Sequence, residues 1–86
     1  MISREVIYMN NKRLAMSSLP IGREGIVISI EANEHRRRFF DLGILPDTIV
    51  RAERYSPTGN PIAFNIRGTI IAIRRDEASN VLINMI

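Results

Sequence analysis

His35 is the only histidine in this chain, and Glu34 and Glu31 lie close to it in sequence, a nitrogen-and-oxygen donor set of the kind that holds divalent metals. Geometry limits the set. Adjacent residues at a helix start diverge by about 100° around a turn of ~3.6 residues, so Glu34 and His35 cannot close on one ion without ligands from elsewhere. His35, Glu34 and Glu31 are therefore weak metal candidates beside the simpler reading of a solvated first turn. The next residues, Arg36-Arg37-Arg38, form a run of cations suited to phosphate or to an acidic protein surface. Consecutive helical residues spread around most of the circumference, and exposed pairs contribute only about 0–1 kcal/mol, so each arginine alone reads first as solvated. Asp41 is spaced to pair with Arg37 at i, i+4.

A third candidate is the loop Ser56-Pro57-Thr58-Gly59-Asn60-Pro61. Its prolines fix φ and lower the entropy lost on docking, and loops displayed by a rigid scaffold often carry recognition. Pro57, Thr58, Gly59, Asn60 and Pro61 thus join Arg37 and Arg38 as partner-binding candidates, with a purely structural hairpin loop as the competing reading. No enzyme constellation accompanies them. Cysteine is absent, His35 has no evident serine partner, and neither a Gly-x-x-x-x-Gly-Lys loop nor a Gly-x-Gly-x-x-Gly turn occurs. The chain reads as a non-enzyme that requires no cofactor.

These residues need a scaffold, and the apolar pattern describes one. Ile62, Phe64 and Ile66 alternate with Ala63, Asn65 and Arg67, the period of a strand with one buried face. Gly68 then joins it through a tight antiparallel turn to a second strand, Ile70 to Ile73. Upstream, the strand from Gly25 to Glu31 places Ile26, Ile28 and Ile30 on one face and Val27, Ser29 and Glu31 on the other. Asn33 is a good N-cap and Gly43 the expected residue after the end, so Glu34 to Leu42 reads as a short helix with Phe39 and Leu42 inward. Pro46 stops it, Ile49 to Tyr55 turns Val50 and Ala52 to one side, Arg74 to Ser79 makes a single helical or 3₁₀ turn, and Val81 to Ile83 is the last strand. This gives a mostly β fold of five strands with one short helix at about residues 34–42. Such a sheet hides its edges most simply by curling into a small, partly open barrel.

Composition agrees. At 86 residues a single domain buries only about 60% of its unfolded surface, and an isoleucine-rich, tryptophan-free core of β-branched residues favours strands. Without cysteine there is neither disulfide nor thiolate site, which argues against a small secreted scaffold. No apolar run approaches the ~20 residues of a membrane span, and the start lacks the order of a signal peptide, so a cytoplasmic protein is expected. The net charge of +3 arises from 12 basic and 9 acidic residues that are interspersed, which by itself argues against nucleic acid. Residues 1–15 read as an N-terminal extension, more mobile than a domain at 16–86.

Four segments in order carry a family resemblance: Leu19-Pro20-Ile21-Gly22, Arg38-Phe39-Phe40-Asp41-Leu42-Gly43-Ile44-Leu45-Pro46, Ser56-Pro57-Thr58-Gly59-Asn60-Pro61-Ile62 and Ala72-Ile73-Arg74-Arg75-Asp76-Glu77-Ala78. From about Leu14 onward the chain resembles the FeoA family of small proteins associated with bacterial ferrous iron transport. It departs at Phe39, where the family usually has leucine, and at Asp47, where glycine often follows the proline; neither harms the fold, since Asp tolerates the turn. The resemblance implies an SH3-like barrel that acts beside the membrane GTPase and permease FeoB, with Fe2+ as the divalent ion to be weakly held. The same barrel resembles the C-terminal domain of diphtheria-toxin-repressor-type regulators. The alternative it implies is a metal-sensing or nucleic-acid-binding accessory, although their helix-turn-helix is missing here.

Overall fold

A computed structural model describes residues 12–86, so the expectation of a mobile extension at 1–15 falls, for residues 1–11, outside the described residues. Arg13–Ala15 is a strand, β1. A 3₁₀ turn at Met16–Ser18 follows, then β2 (Glu24–Ile30), α1 (Arg36–Asp41), β3 (Ile49–Tyr55), β4 (Ile62–Ile66), β5 (Thr69–Ile73), α2 (Arg75–Ala78) and β6 (Val81–Met85). All six strands join one antiparallel sheet in the order β1-β6-β2-β3-β4-β5. The alternation of the sequence predicts five. The sixth, β1, is too short to show a period, and it is held by register, with Arg13 opposite Asn84 and Ala15 opposite Leu82.

Inner-face residues from all six strands and both helices meet in a single core, with Phe39, Phe64 and Ile83 fully buried at its centre. The sheet must curl around that core to achieve this, yet β1 and β5 remain its edges, so the barrel is open. β4 buries Ile62, Phe64 and Ile66, and β3 buries Val50 and Ala52, as their alternation predicts. β2 does not follow its alternation. Its pairing with β6 shifts register between Val27 and Ser29, and this bulge lets Val27 and Ile30 both face the core while Ile26 and Ile28 are half-buried.

α1 begins at Arg36, two residues later than its cap suggests. Asn33 Oδ1 accepts the His35 N–H at 2.9 Å and the Asn33 carbonyl accepts the Arg36 N–H at 3.1 Å, so a side-chain-closed turn stands where the first helical turn was expected. The other end is as predicted. Gly43 has φ +87°, the Ile44 N–H reaches back to the Phe39 carbonyl at 2.9 Å and the Gly43 N–H to Phe40 at 3.0 Å, a complete Schellman closure. The turn after it places Pro46 second and Asp47 third, with Asp47 at φ 73° and the Thr48 N–H bonded to the Leu45 carbonyl at 3.0 Å, a type II turn in which glycine is the usual third residue. The β4–β5 turn has Arg67 at φ 54° and Gly68 at φ 86°, the type I′ geometry that fits strand twist.

Candidate functional site

The two partner-binding candidates are far apart in sequence, and the four-residue helix α2 ties them together. At its start, the Arg75 N–H donates to Asn60 Oδ1 at 3.0 Å and its Nε–H to the Gly59 carbonyl at 2.7 Å, while its guanidinium lies 5.0 Å from the centroid of the Tyr55 ring. This braces the double-proline loop from below. Within the loop, the Ser56 N–H donates to the Pro61 carbonyl at 3.1 Å, the Gly59 N–H to Ser56 at 2.8 Å and the Thr58 hydroxyl to the Asn60 carbonyl at 3.0 Å. Pro57 and Thr58 stand exposed at the tip, and Gly59, Asn60 and Pro61 are half-buried beneath them.

At the other end of α2, the buried Glu77 accepts a hydrogen bond from Arg38 Nη1 of α1. Arg38 is therefore a tether as well as a surface cation. Its neighbours differ: Arg36 lies over the Phe40 ring at 5.2 Å, whereas Arg37 has no ion-pair partner among the described residues. The expected Arg37–Asp41 pair does not form; both side chains are exposed, where such a pair gains little. The contacts of α2 thus link Arg38 on α1 to the double-proline loop, while Arg37 and Phe40 on α1 and Pro57 and Thr58 at the loop tip are exposed. Sequence reasoning did not name Arg75, Tyr55, Glu77 or Phe40, which make these contacts, as candidates. Phe40, Arg75 and Glu77 lie within segments that carry the resemblance, but the contacts that Arg75 and Glu77 make are non-local.

The metal candidates are placed differently. His35 Nε2 comes within 3.7 Å of Glu34 Oε1, both residues sitting in the turn before α1. Glu31 is not brought to them, and among the described residues no group of three His, Cys, Asp or Glu side chains could hold an ion. Glu34 is exposed and His35 half-buried, and a structural or catalytic zinc site takes three or more protein ligands.

On the outer face of the sheet, Glu24, Ile49, Arg51, Asn65, Arg67 and Gly68 line an open depression of about 240 Å³, away from the candidate residues. Arg51 there donates from Nε to Glu53 at 2.9 Å. That hydrogen bond, more than any other influence, holds the Glu53 carboxyl below its ordinary range, with help from Asn65 and from the charges of Arg51 and Arg54. Among the described residues no helix is long and apolar enough to cross a membrane.

Comparison with known proteins places this architecture. No curated protein matches the chain. Among solved structures, a FeoA-like protein from Clostridium acetobutylicum is similar at 30% identity with a TM-score of 0.81, over 87% of this chain and 88% of that one. Stenotrophomonas maltophilia FeoA, a prokaryotic SH3 domain protein crystallised with zinc, is 30% identical with a TM-score of 0.70, over 79% of this chain and 86% of its own. A manganese-dependent transcriptional repressor aligns over 88% of this chain but 43% of its own, with a TM-score of 0.78; at 18% identity that likeness is one of fold alone. The model of the FeoA domain matches residues 14–85, nearly all of the described chain, and with an SH3-like open barrel already in place this chain belongs to the FeoA family.

Proposed function

We propose that this chain is a small accessory of bacterial ferrous iron transport, binding the cytoplasmic GTPase domain of a FeoB-type membrane transporter without chemistry of its own. The observation that carries this reading is the joining of two candidate segments through α2: Arg75 holds the double-proline loop and Glu77 holds α1, so Arg37 and Thr58 are presented by one braced unit. Preorganised loops and cations bind with less ordering loss, and the exposed charge on this unit favours an acidic partner surface. The S. maltophilia relative, itself advanced as a ferrous iron transport activating factor, supports the setting. Metal sensing is disfavoured by the two-donor geometry at His35, and the repressor likeness supplies only a fold.

A pull-down with the FeoB cytoplasmic domain tests this. The native chain should be retained, and Arg37→Glu and Thr58→Glu should each weaken retention. Retention that neither change weakens would remove the surface named here, and no retention of the native chain would remove the partner.

A further inference from the structure

Among the described residues the sheet has two edges, and they are built differently. β1 is three residues long and opens on Arg13, the shortness and charge that usually protect an edge. β5, Thr69-Ile70-Ile71-Ala72-Ile73, has five residues with neither charge nor proline. Its register with β4 runs unbroken from Ile66 opposite Thr69 to Ile62 opposite Ile73, whereas the β2–β6 and β3–β4 pairings are each interrupted by a bulge. The two-residue turn at Arg67-Gly68 makes Ile66 and Thr69 a hydrogen-bonded pair. The ladder alternates from there, so Ile71 and Ile73 bond to β4 while Ile70 and Ala72 turn their N–H and C=O groups outward. No second strand pairs with β5 among the described residues, and Ile70 is 46% exposed.

The geometry points to β5 as a docking strand that accepts an extended segment of a partner protein, apolar at alternate positions and flanked by carboxylates. The charges at its ends select that occupant. Arg67 precedes the strand and Arg74 follows it, both exposed, and Arg74 is held only loosely, 3.8 Å from Asp76. An added strand that spans β5 therefore passes the Arg67 turn at one end and Arg74 at the other, and main-chain bonds to Ile70 and Ala72 supply its affinity. A second copy of this chain fits less well. The two-fold antiparallel register that overlaps all five residues sets Ile71 against Ile71 and brings Arg67 of each copy toward Arg75 of the other, a like-charge opposition. This docking strand is independent of the FeoB reading, because neither Arg37 nor the double-proline loop belongs to β5.

The test uses the full chain, labelled with 15N, and a capped peptide of alternating valine and threonine with glutamates at both ends. The Ile70 and Ala72 amides should shift and gain hydrogen-exchange protection as the peptide is added. The same peptide N-methylated at alternate amides should not bind. Ala72→Pro, which removes one outward N–H at an edge position that tolerates proline, should weaken binding by about fivefold, and Arg74→Glu should weaken it and flatten its salt dependence. Absence of binding, equal binding of the N-methylated peptide, or shifts confined to other strands would overturn the proposal. So would protection of Ile70 and Ala72 that rises with protein concentration alone, since a second copy would then occupy the edge.

Discussion

Gly25→Ala tests the packing at the centre of the barrel. Gly25 in β2 is buried between Val50 of β3 and Met85 of β6. A methyl group added there would stand 2.5 Å from Ile83 Cδ1 and 3.4 Å from Ile83 Cβ and Cγ1. Ile83 is fully buried, so its terminal methyl can move only into packed core. Overpacking of this kind costs about 1–3 kcal/mol, and replacing glycine in a strand returns about 0.5–1 kcal/mol. The net expectation is a loss centred near about 1 kcal/mol and not above about 2.5 kcal/mol, read by urea unfolding followed by circular dichroism, or about 4–8 °C in Tm at the central value for a chain of this size. Ile83→Val removes the clashing methyl and alone should cost about 0.5–1.5 kcal/mol. With both changes present the clash is gone, so the double variant should be more stable than the sum of the single losses by about 1 kcal/mol or more. Additive losses, or an unchanged stability in Gly25→Ala, would refute the reasoning.

The same measurement applies to three other features. Gly43 and Asp47 both hold left-handed φ, so Gly43→Ala should lose about 1 kcal/mol while Asp47→Gly should gain about 0.5–1 kcal/mol; effects of equal sign would mean that backbone strain does not govern these turns. Arg38→Met leaves the buried Glu77 without its cation, and because Arg38 is itself half exposed and screened, the expected loss is about 1–2 kcal/mol rather than that of a fully buried pair. Full retention of stability would show that the α1–α2 tether is incidental. Glu53 titrates below its unfolded value, chiefly through the hydrogen bond from Arg51, so its stabilisation is present above the unfolded carboxylate range and is lost as pH falls through the folded value. Glu53→Gln should therefore narrow the difference in urea midpoint between about pH 7 and about pH 3; an unchanged difference would contradict the assignment.

Much of the fold is legible in the residues. The inward sets of β3 and β4, the helix end at Gly43 and the tight turn at Gly68 follow from period-2 alternation and from positions where the backbone needs positive φ. The bulge in β2 is not legible, because Ile26, Val27 and Ile28 are all apolar and only the register against β6 decides which face the core receives. Nor is the late start of α1, where Asn33 closes a turn with the same side chain that would have capped a helix. The candidate site divides in the same way. Its loop and its arginines are visible as local runs, whereas the Arg38–Glu77 contact joins residues 39 apart and the Arg75–Tyr55 contact depends on how α2 settles against the end of β3. Contacts of that range are written in the tertiary fold and not in any window of sequence.

The most direct test of the proposed partner-binding surface is titration of the 15N-labelled chain with the cytoplasmic GTPase domain of FeoB, following backbone amides. The expected result is perturbation centred on Arg37 to Phe40 and on Thr58 to Asn60, weakened together by Glu77→Gln because that change loosens the unit presenting both. Perturbation confined to the outer sheet face around Ile49 and Arg51, or none at saturating partner, would contradict it.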